Sequence, residues 1–419
     1  MTDTAGTPSG AADGDGDGPA AVGPGLGASA SGRGLARRRR RRWVRWTSLG
    51  VAVVVLGAAG AGWAVYEHLS GNITPDEAAA RELARYEKER PTTLVKGAQN
   101  ILLIGSDSRS GAGNRKYGRD SGTERSDTTI LLHLSADRRT ATAVSLPRDL
   151  MVNVPRCLRP DGTRTGPTFA MFNSAFEVGG SACTIRTVEK LTDVRIDHHV
   201  VVDFRGFKQM VDAVDGVRIC LREPIHDKAA KLRLPAGRVT LDGEQALGYV
   251  RARKTLGDGS DTERMDRQQQ FLGALVNKVR GNDVLLNPAK LYPVLDAATS
   301  SLTTDPGLAS LRGLYDLVRG LRHIPTNGVR FLTVPREAYV YDANRDQLVQ
   351  PEARKLFGRL RADRPVVVVD ASEHDGRGGP GNEHPYGGGA GSAYGQPFDA
   401  DASPAPTFRG NTAAQDACK

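Results

Sequence analysis

Between Trp46 and Tyr66 the chain reads WTSLGVAVVVLGAAGAGWAVY, 21 residues without a charged side chain. As a helix rising about 1.5 Å per residue, this run spans roughly 30 Å, the thickness of a bilayer's hydrocarbon core. All three tryptophans of the protein (Trp43, Trp46 and Trp63) sit with Tyr66 at its ends, where amphipathic rings favour the headgroup level. The arginines Arg37 to Arg42 stand just before it, and Glu67, Asp76 and Glu77 follow. Basic flanks stay on the cytoplasmic side, so residues 1–42 are expected in the cytoplasm and the chain beyond about residue 67 outside the cell. The run exceeds the roughly 7–15 apolar residues of a cleaved signal peptide and, although Ala58–Gly62 is rich in small residues, it offers no clean A-x-A site at the right place. A retained single-pass anchor is therefore expected.

The anchor decides how the remaining composition is read. A net charge of +9 would suggest nucleic acid if it were spread over a surface. Eight arginines against four aspartates lie within residues 1–46, however, and the rest is nearly balanced. No nucleic-acid partner is expected. With 39% hydrophobic and 25% charged residues, the 419-residue chain is neither a polytopic membrane protein, nor a coiled coil, nor wholly disordered. No repeat of solenoid length recurs. The cysteines Cys157, Cys183, Cys220 and Cys418 all lie beyond the anchor and form no C-x-x-C pair. Of the possible pairings we expect Cys157–Cys183, which closes a loop of a size that stabilises by about 3 kcal/mol.

Composition divides the chain further. Residues 1–42 and 373–419 are rich in Gly, Ala, Pro, Ser and Asp and read as disordered tails, the first carrying the arginine cluster. Residues 43–66 form the membrane helix, 67–96 a polar, partly helical stalk, 97–281 the main domain and 282–372 an appendage packed on it. In the main domain, strand patterns at NILLIGSDS, DTTILLHLS, TATAVSL and HVVVDF alternate with helical ones. The helical patterns cover 173–177, 182–191, 204–214, 242–250 and 262–280. This schedule predicts an α/β (α+β) sandwich of three layers with a central mixed sheet.

Charge is concentrated where the strands end. Asp107 follows NILLI and Asp127 precedes TTILLHL, so the two carboxylates meet at one sheet edge if these strands are neighbours. At about 4 Å they would repel by about 4 kcal/mol at an effective dielectric near 20. A divalent cation resolves that conflict, and an all-oxygen set suits Mg²⁺. Taken singly, each Asp would more ordinarily cap a turn in solvent. Pro147-Arg148-Asp149 ends another strand. Arg251 and Arg253 are followed by Asp261, Arg264, Arg267 and Gln268, with Arg264 and Gln268 four apart on one helical face. Guanidinium groups beside two carboxylates and a metal suit a pyrophosphate, whose oxygens accept bidentate forks. An Arg-x-Arg alone is more ordinarily a salt-bridged surface. The adjacent His198 and His199 point to opposite sides of a strand and are expected to be structural. The sequence has no Walker A loop, G-x-S-x-G elbow, dinucleotide fingerprint or H-E-x-x-H motif.

Seven segments in order, from Asn100 to Arg280, carry a resemblance: NILLIGSDSR, RSDTTILLHL, SLPRDL, FNSAFEVGG, DHHVVVDFRGFKQMVDAVDGV, LDGEQALGYVRAR and RMDRQQQ. Together with the single anchor they resemble the LytR-CpsA-Psr family of actinobacterial envelope proteins. The resemblance implies a phosphotransferase. Such an enzyme moves a glycopolymer from a polyprenyl-pyrophosphate carrier onto a muramic-acid hydroxyl of peptidoglycan through a phosphodiester. It implies Mg²⁺ on Asp107 and Asp127, and a pyrophosphate gripped by Arg109, Arg148, Arg251, Arg253, Arg264 and Gln268. Asp107, Asp127, Arg148, Arg251 and Arg253 would form the catalytic set. The lipid would lie in a groove lined by Phe204, Phe207, Met210, Val211 and Phe271. Asp107, Asp149 and Asp261 are each candidates for the general base. Many relatives carry Lys where this chain has Met171, so one phosphate-binding cation is either missing or replaced by an arginine from elsewhere, Arg164 being the candidate. The rival readings are a polyprenyl-pyrophosphate hydrolase using the same site and a non-catalytic envelope or regulatory protein that binds lipid-linked sugars.

Overall fold

The computed structural model of the chain describes residues 33–107, 126–227, 230, 232–252, 261–281, 288–369 and 406–415. The uncharged run lies inside α1 (Arg33–Asn72), of which Trp43–Asn72 is long and apolar enough to cross a membrane. Its Trp46, Val54 and Leu56 are exposed, as a lipid-facing surface requires. The chain divides into two compact units between Trp63 and Ala64, within this helix.

In the second unit the edge strand β1 (Thr74–Pro75) leads into α2 (Glu77–Arg85). Asp76 starts that helix by accepting from the Ala79 N–H at 3.0 Å, and the alanine-rich EAAARELAR sustains it. β2 (Gln99–Ser106), β3 (Ser126–Leu134) and β4 (Ala141–Leu146) pair antiparallel in succession. The hairpin β5 (Met151–Val154) and β6 (Thr168–Met171) precedes α3 (Ser174–Thr192), β7 (His198–Asp203) and α4 (Phe204–Ala213). Two small antiparallel pairs follow, β8 (Val217–Leu221) with β11 (Gly237–Leu241) and β9 (Ile225–Asp227) with β10 (Leu232–Leu234). Next come α5 (Gly243–Arg251), α6 (Asp261–Arg280), α7 (Pro288–Ser301), β12 (Leu302–Thr304) and α8 (Leu311–Arg322). The described chain closes with β13 (Val329–Thr333), the hairpin β14 (Arg336–Tyr339) and β15 (Asp342–Leu348), α9 (Glu352–Arg361), β16 (Val367–Val369) and β17 (Thr407–Thr412).

The central sheet is mixed and has nine strands in the order β1-β12-β7-β2-β3-β4-β13-β17-β16. Successive side chains along a strand face opposite ways, and here both faces are apolar. Leu102, Ile104, Leu131, Val144 and Leu332 join the core beneath α2, α3 and α9. Their neighbours Ile101, Ile130, Ala143, Val200 and Phe331 join the core under α6 and α8. The predicted three layers result. A third core, built on α4, α5, α6 and β8–β11, lies to the side. Cys157 and Cys183 form a disulfide with Cα atoms 5.5 Å apart, tying the loop after β5 to α3. α3 kinks at Gly179–Gly180, and a Cβ at Gly179 would come within 2.9 Å of the Cys183 Cβ. Cys220 is also disulfide-bonded; Cys418 lies outside the described residues.

Three boundaries read from composition need correction. Residues 67–96 do not stand apart as a stalk. β1 pairs with β12, α2 packs on α3, and Arg90 forks onto Glu189 at 2.8–3.1 Å. Residues 282–372 do not form a separate appendage either, because β13 pairs in parallel with β4 inside the sheet. Nor is all of 373–419 a tail without structure: β17 pairs with both β13 and β16, and Phe408 is buried in the core. A short strand inside a Gly- and Pro-rich segment has too little pattern of its own to be seen; the sheet edge waiting for it supplies the order.

His198 and His199 make structural hydrogen bonds, as expected, and so does His133. His199 Nε2 lies 3.2 Å from Asp76 Oδ2, His198 Nδ1 3.1 Å from Asp305 Oδ1, and His133 bridges Asn100 and Asp363. Its hydrogen bond to Asp305 raises His198 above the ordinary 6.5 in spite of burial. Burial alone would raise Asp305, but His198 outweighs it and holds this carboxyl below 3.8. The stabilisation from His198 is therefore complete below its unfolded value and is lost as pH rises through the raised one. The stability advantage of wild type over His198→Gln should shrink as pH rises above about 6.5 in thermal melts, and an advantage that grows there would contradict the pairing. Phe408→Ala should cost about 3 kcal/mol in chemical denaturation, as for other buried phenylalanines.

Candidate active site

Four neighbouring strands deliver polar residues to one end of the sheet. Ser106 of β2 pairs with Ser126 of β3 across a register shift and with Asp203 of β7. Asp107 and Asp127 therefore leave adjacent strands at the same edge, as the sequence predicted. On the other side of β3, Thr129 pairs with Leu146, which brings the turn after β4 opposite Asp127. Arg148 Nη1 donates to Asp127 Oδ1 at 2.8 Å and its Nε to Asp149 Oδ2 at 3.3 Å. Arg345, from β15, approaches the other oxygen of Asp149 at 3.8 Å. The turn is rigid because the Arg148 carbonyl accepts from the Asn173 N–H at 3.0 Å and the Leu150 carbonyl accepts from the Phe172 N–H at 2.8 Å.

The second wall of the site is a corner between two helices. α5 begins at a capping box: Asp242 accepts from the Gln245 N–H while the Gln245 side chain returns to the Asp242 N–H. A Cβ on Gly243 would fall 2.5 Å from the Lys208 carbonyl oxygen, so only glycine lets α5 approach α4 this closely. At the other end, α6 supplies donors to the carbonyls that a helix C-terminus leaves unsatisfied. Gln268 Nε2 donates to the Val250 carbonyl at 3.2 Å and Arg267 Nη2 to that of Ala252. Gln269 reaches from α6 to Ser145 and Thr333 at 3.3 and 3.1 Å, tying this corner to β4 and β13. Tyr249, buried between the helices, has its phenol pushed up to about 12 by that burial, so it stays neutral. Arg251 is the last residue of α5, and its guanidinium lies 4.5 Å from the Phe204 ring centroid. Phe204 follows Asp203, the β7 partner of Ser106, so Arg251 is tied by that stack to the residue next to this sheet edge.

The expected residues thus divide. Asp127 and Arg148 are bonded, Asp107 joins them by register, and Arg251 is linked through Phe204. Arg264 and Gln268 are both buried on α6, and Gln268 positions the α5 backbone next to Arg251. Arg109 and Arg253 lie outside the described residues, and so does the side chain of Asp261. Arg164 is not the substitute for the lysine missing at Met171. It binds Glu82 at 2.8 Å and the Tyr86 hydroxyl at 2.7 Å, in the α2 region. A cation that sequence reading missed, Arg345, reaches the site from some two hundred residues downstream of Arg148. No local pattern announces it. Of the lipid-groove candidates, Val211 and Phe271 are core residues of the side cluster, with Phe207 stacked 5.5 Å from Phe271. Met210 is half-buried and Phe204 lies under Arg251.

Asp107 and Asp127 are oxygen donors of the type that a hard divalent cation takes. Among the described residues no cluster of three or more His, Cys, Asp or Glu side chains could hold one. Mg²⁺, however, commonly takes only one or two carboxylates and completes its shell with water and substrate phosphates.

Carboxylates and guanidiniums thus stand together at one end of the sheet, and guanidinium forks are a donor set whose geometry matches phosphate oxygens. The chain belongs to the LytR_cpsA_psr family, which it matches over residues 69–362. That range includes α2 and runs through α9, consistent with their integration into the fold. Among its relatives, the probable cell wall biosynthesis protein LcpB of Corynebacterium glutamicum is 39% identical over 214 residues, covering 50% of this chain and 48% of that protein. LcpA of the same organism is 34% identical over 265 residues, covering 57% and 50%. The chain thus spans about half the length of these two relatives. TagT of Bacillus subtilis, named a polyisoprenyl-teichoic acid–peptidoglycan teichoic acid transferase, is 29% identical over 294 residues, covering 68% and 84%. Among solved structures, a LytR-Csp2A-Psr enzyme from Actinomyces oris shares the fold with a TM-score of 0.52 at 22% identity, covering 65% of this chain and 93% of that one.

The Asp127–Arg148 pair is part-exposed, so it contributes only about 0–1 kcal/mol to folding. Arg148→Ala should therefore leave the melting temperature nearly unchanged. Inorganic pyrophosphate at about a hundred times its Kd should stabilise the wild type by about 2.7 kcal/mol in a thermal-shift assay and the variant much less. Equal stabilisation of both would remove Arg148 from the anion site.

Proposed function

We propose that this protein transfers a glycopolymer from a polyprenyl-pyrophosphate carrier to a muramic-acid hydroxyl of peptidoglycan. The observation that carries the reading is the Arg148 guanidinium held between Asp127 and Asp149 beside Asp107, with Arg251 tied to the adjacent strand end. The names of the relatives LcpA, LcpB and TagT support it. So does the disulfide, which suits an oxidising, extracytoplasmic compartment. With α1 as the anchor, Arg37 to Arg42 would remain in the cytoplasm and the second unit would work outside.

In this scheme Arg148 and Arg251 hold the pyrophosphate oxygens, and Arg264 and Gln268 support that wall. The acceptor hydroxyl oxygen bonds to the sugar-side phosphorus while the bond from that phosphorus to the bridging oxygen breaks. Polyprenyl phosphate leaves, and the hydroxyl proton is released. The residues contribute positioning and charge neutralisation, the principal means of catalysing phosphoryl transfer. Arg148 can turn from Asp127 to phosphate because a part-exposed ion pair is weak. Asp149, placed between Arg148 and Arg345, keeps the turn's guanidinium aimed. Asp107 and Asp127 would hold Mg²⁺, which would neutralise charge on the pyrophosphate when bound.

The test supplies the full-length protein in detergent with a lipid-pyrophosphate-linked saccharide, peptidoglycan oligomers and Mg²⁺. Ligated product is the expected result. Sugar phosphate without ligation would identify a hydrolase, and unaltered substrate a binding protein. Asp127→Ala and Arg251→Ala should each lower turnover by about 10²-fold or more, the usual effect of removing one charge-stabilising group. Wild-type rates in both would refute the site.

A further inference from the structure

Two hairpins flank the Arg148–Asp149 turn, and both carry aromatic rings at the surface. Phe169 on β6 is 50% exposed and Tyr341, just past β14, is 85% exposed. Tyr339 stands between them, its ring centroid 6.0 Å from that of Phe169 and 5.4 Å from that of Tyr341. Scattered exposed apolar residues are ordinary, but a contiguous row of rings marks a contact surface.

The row is continuous with the active site. The Asp346 N–H donates to the Asp149 carbonyl at 3.1 Å, and Arg345 beside it pairs with the Asp149 carboxylate. Phe169 lies opposite Asn153, four residues from Asp149, which is at most about 13 Å along an extended strand. A short saccharide bridges that distance.

The surroundings select the occupant. Glu337 accepts from Gln347 Nε2 at 2.8 Å, and Asp342 accepts from the Asn344 side chain at 3.2 Å. These carboxylates and amides on the same hairpin could hydrogen-bond sugar hydroxyls, while a ring face takes the C–H face of a pyranose. A bilayer surface would call for Lys and Arg free to meet it; here Asp342 follows the exposed Val340 and Tyr341, and the hairpin's Arg336 and Arg345 are paired with Asp346 and with Asp149 and Asp342.

We propose that Phe169, Tyr339 and Tyr341 form a stacking subsite for a glycan strand, the acceptor that presents its hydroxyl to the Arg148 turn. Naming the strand as acceptor rests on the transfer reading above; stacking of the glycan on the rings does not.

The first experiment uses no donor, so it is independent of turnover: the full-length chain in detergent is co-sedimented with purified peptidoglycan. Wild type should be retained. Tyr341→Ala and Phe169→Ala should each weaken retention by about fivefold to tenfold, and Tyr341→Trp should restore it. Unchanged melting temperatures would exclude misfolding. No retention of the wild type, or equal retention of the alanine variants, would overturn the subsite. In the transfer assay the alanine variants should raise the KM for peptidoglycan about tenfold and leave that for the lipid donor unchanged. Weakened sedimentation with an unchanged acceptor KM would overturn the assignment as acceptor site. In liposomes, with Trp43, Trp46 and Trp63 replaced by Phe, quenching of the Tyr341→Trp emission by brominated lipid would assign the rings to the bilayer and overturn the proposal.

Discussion

Two carboxylates a few ångströms apart repel strongly unless a cation stands between them, and at the edge of this sheet Arg148 takes that position. Its two hydrogen bonds, to Asp127 at 2.8 Å and Asp149 at 3.3 Å, join the ends of β3 and β4 into one charged surface. The pairing is strong enough to aim the guanidinium and too exposed to lock it. An arginine committed to a deeply buried ion pair could not be released to a phosphate at small cost. On the proposed function, partial exposure, 23% for Arg148 and 30% for Asp127, is what would let Arg148 exchange Asp127 for phosphate.

Keeping such a surface in place requires rigidity from behind. α6 provides much of it. Gln268 and Arg267 occupy carbonyls at the end of α5, and Gln269 fixes the same helix to hydroxyls on β4 and β13. Arg264 and Arg267 are nearly wholly buried. Burying a guanidinium is unfavourable unless it is well partnered, so two of them on one helix turn belong to a specific polar corner and not to generic packing. The same helix contributes Phe271 and Met265 to the interior, which couples the polar corner to the hydrophobic core.

The segments outside the central motifs are structural members of the domain. α2 is held by its Asp76 cap, by His199 and by the Arg164–Glu82 pair. The β14–β15 hairpin brings Arg345 to Asp149 and carries the tyrosines that extend the charged surface with rings. At the far side β17 covers the edge of β13, which would otherwise present unpaired backbone groups.

Local chemistry determined a good deal of this. A charge-free run of 21 residues can span a bilayer wherever it stands, alternating apolar residues bury both faces of a strand, and Asp242 caps α5 through neighbours in sequence. The approach of Asp107 to Asp127 was legible because both flank consecutive strands, which pair readily. The tertiary structure alone decided that Arg345 reaches Asp149 while Arg164 pairs with Glu82, that Gln268 braces a carbonyl, and that a strand returns from residues 407–412. Those outcomes depend on contacts between residues scores to hundreds of positions apart. Such contacts are selected by shape and charge only after the layers have assembled, and they leave no period in the sequence.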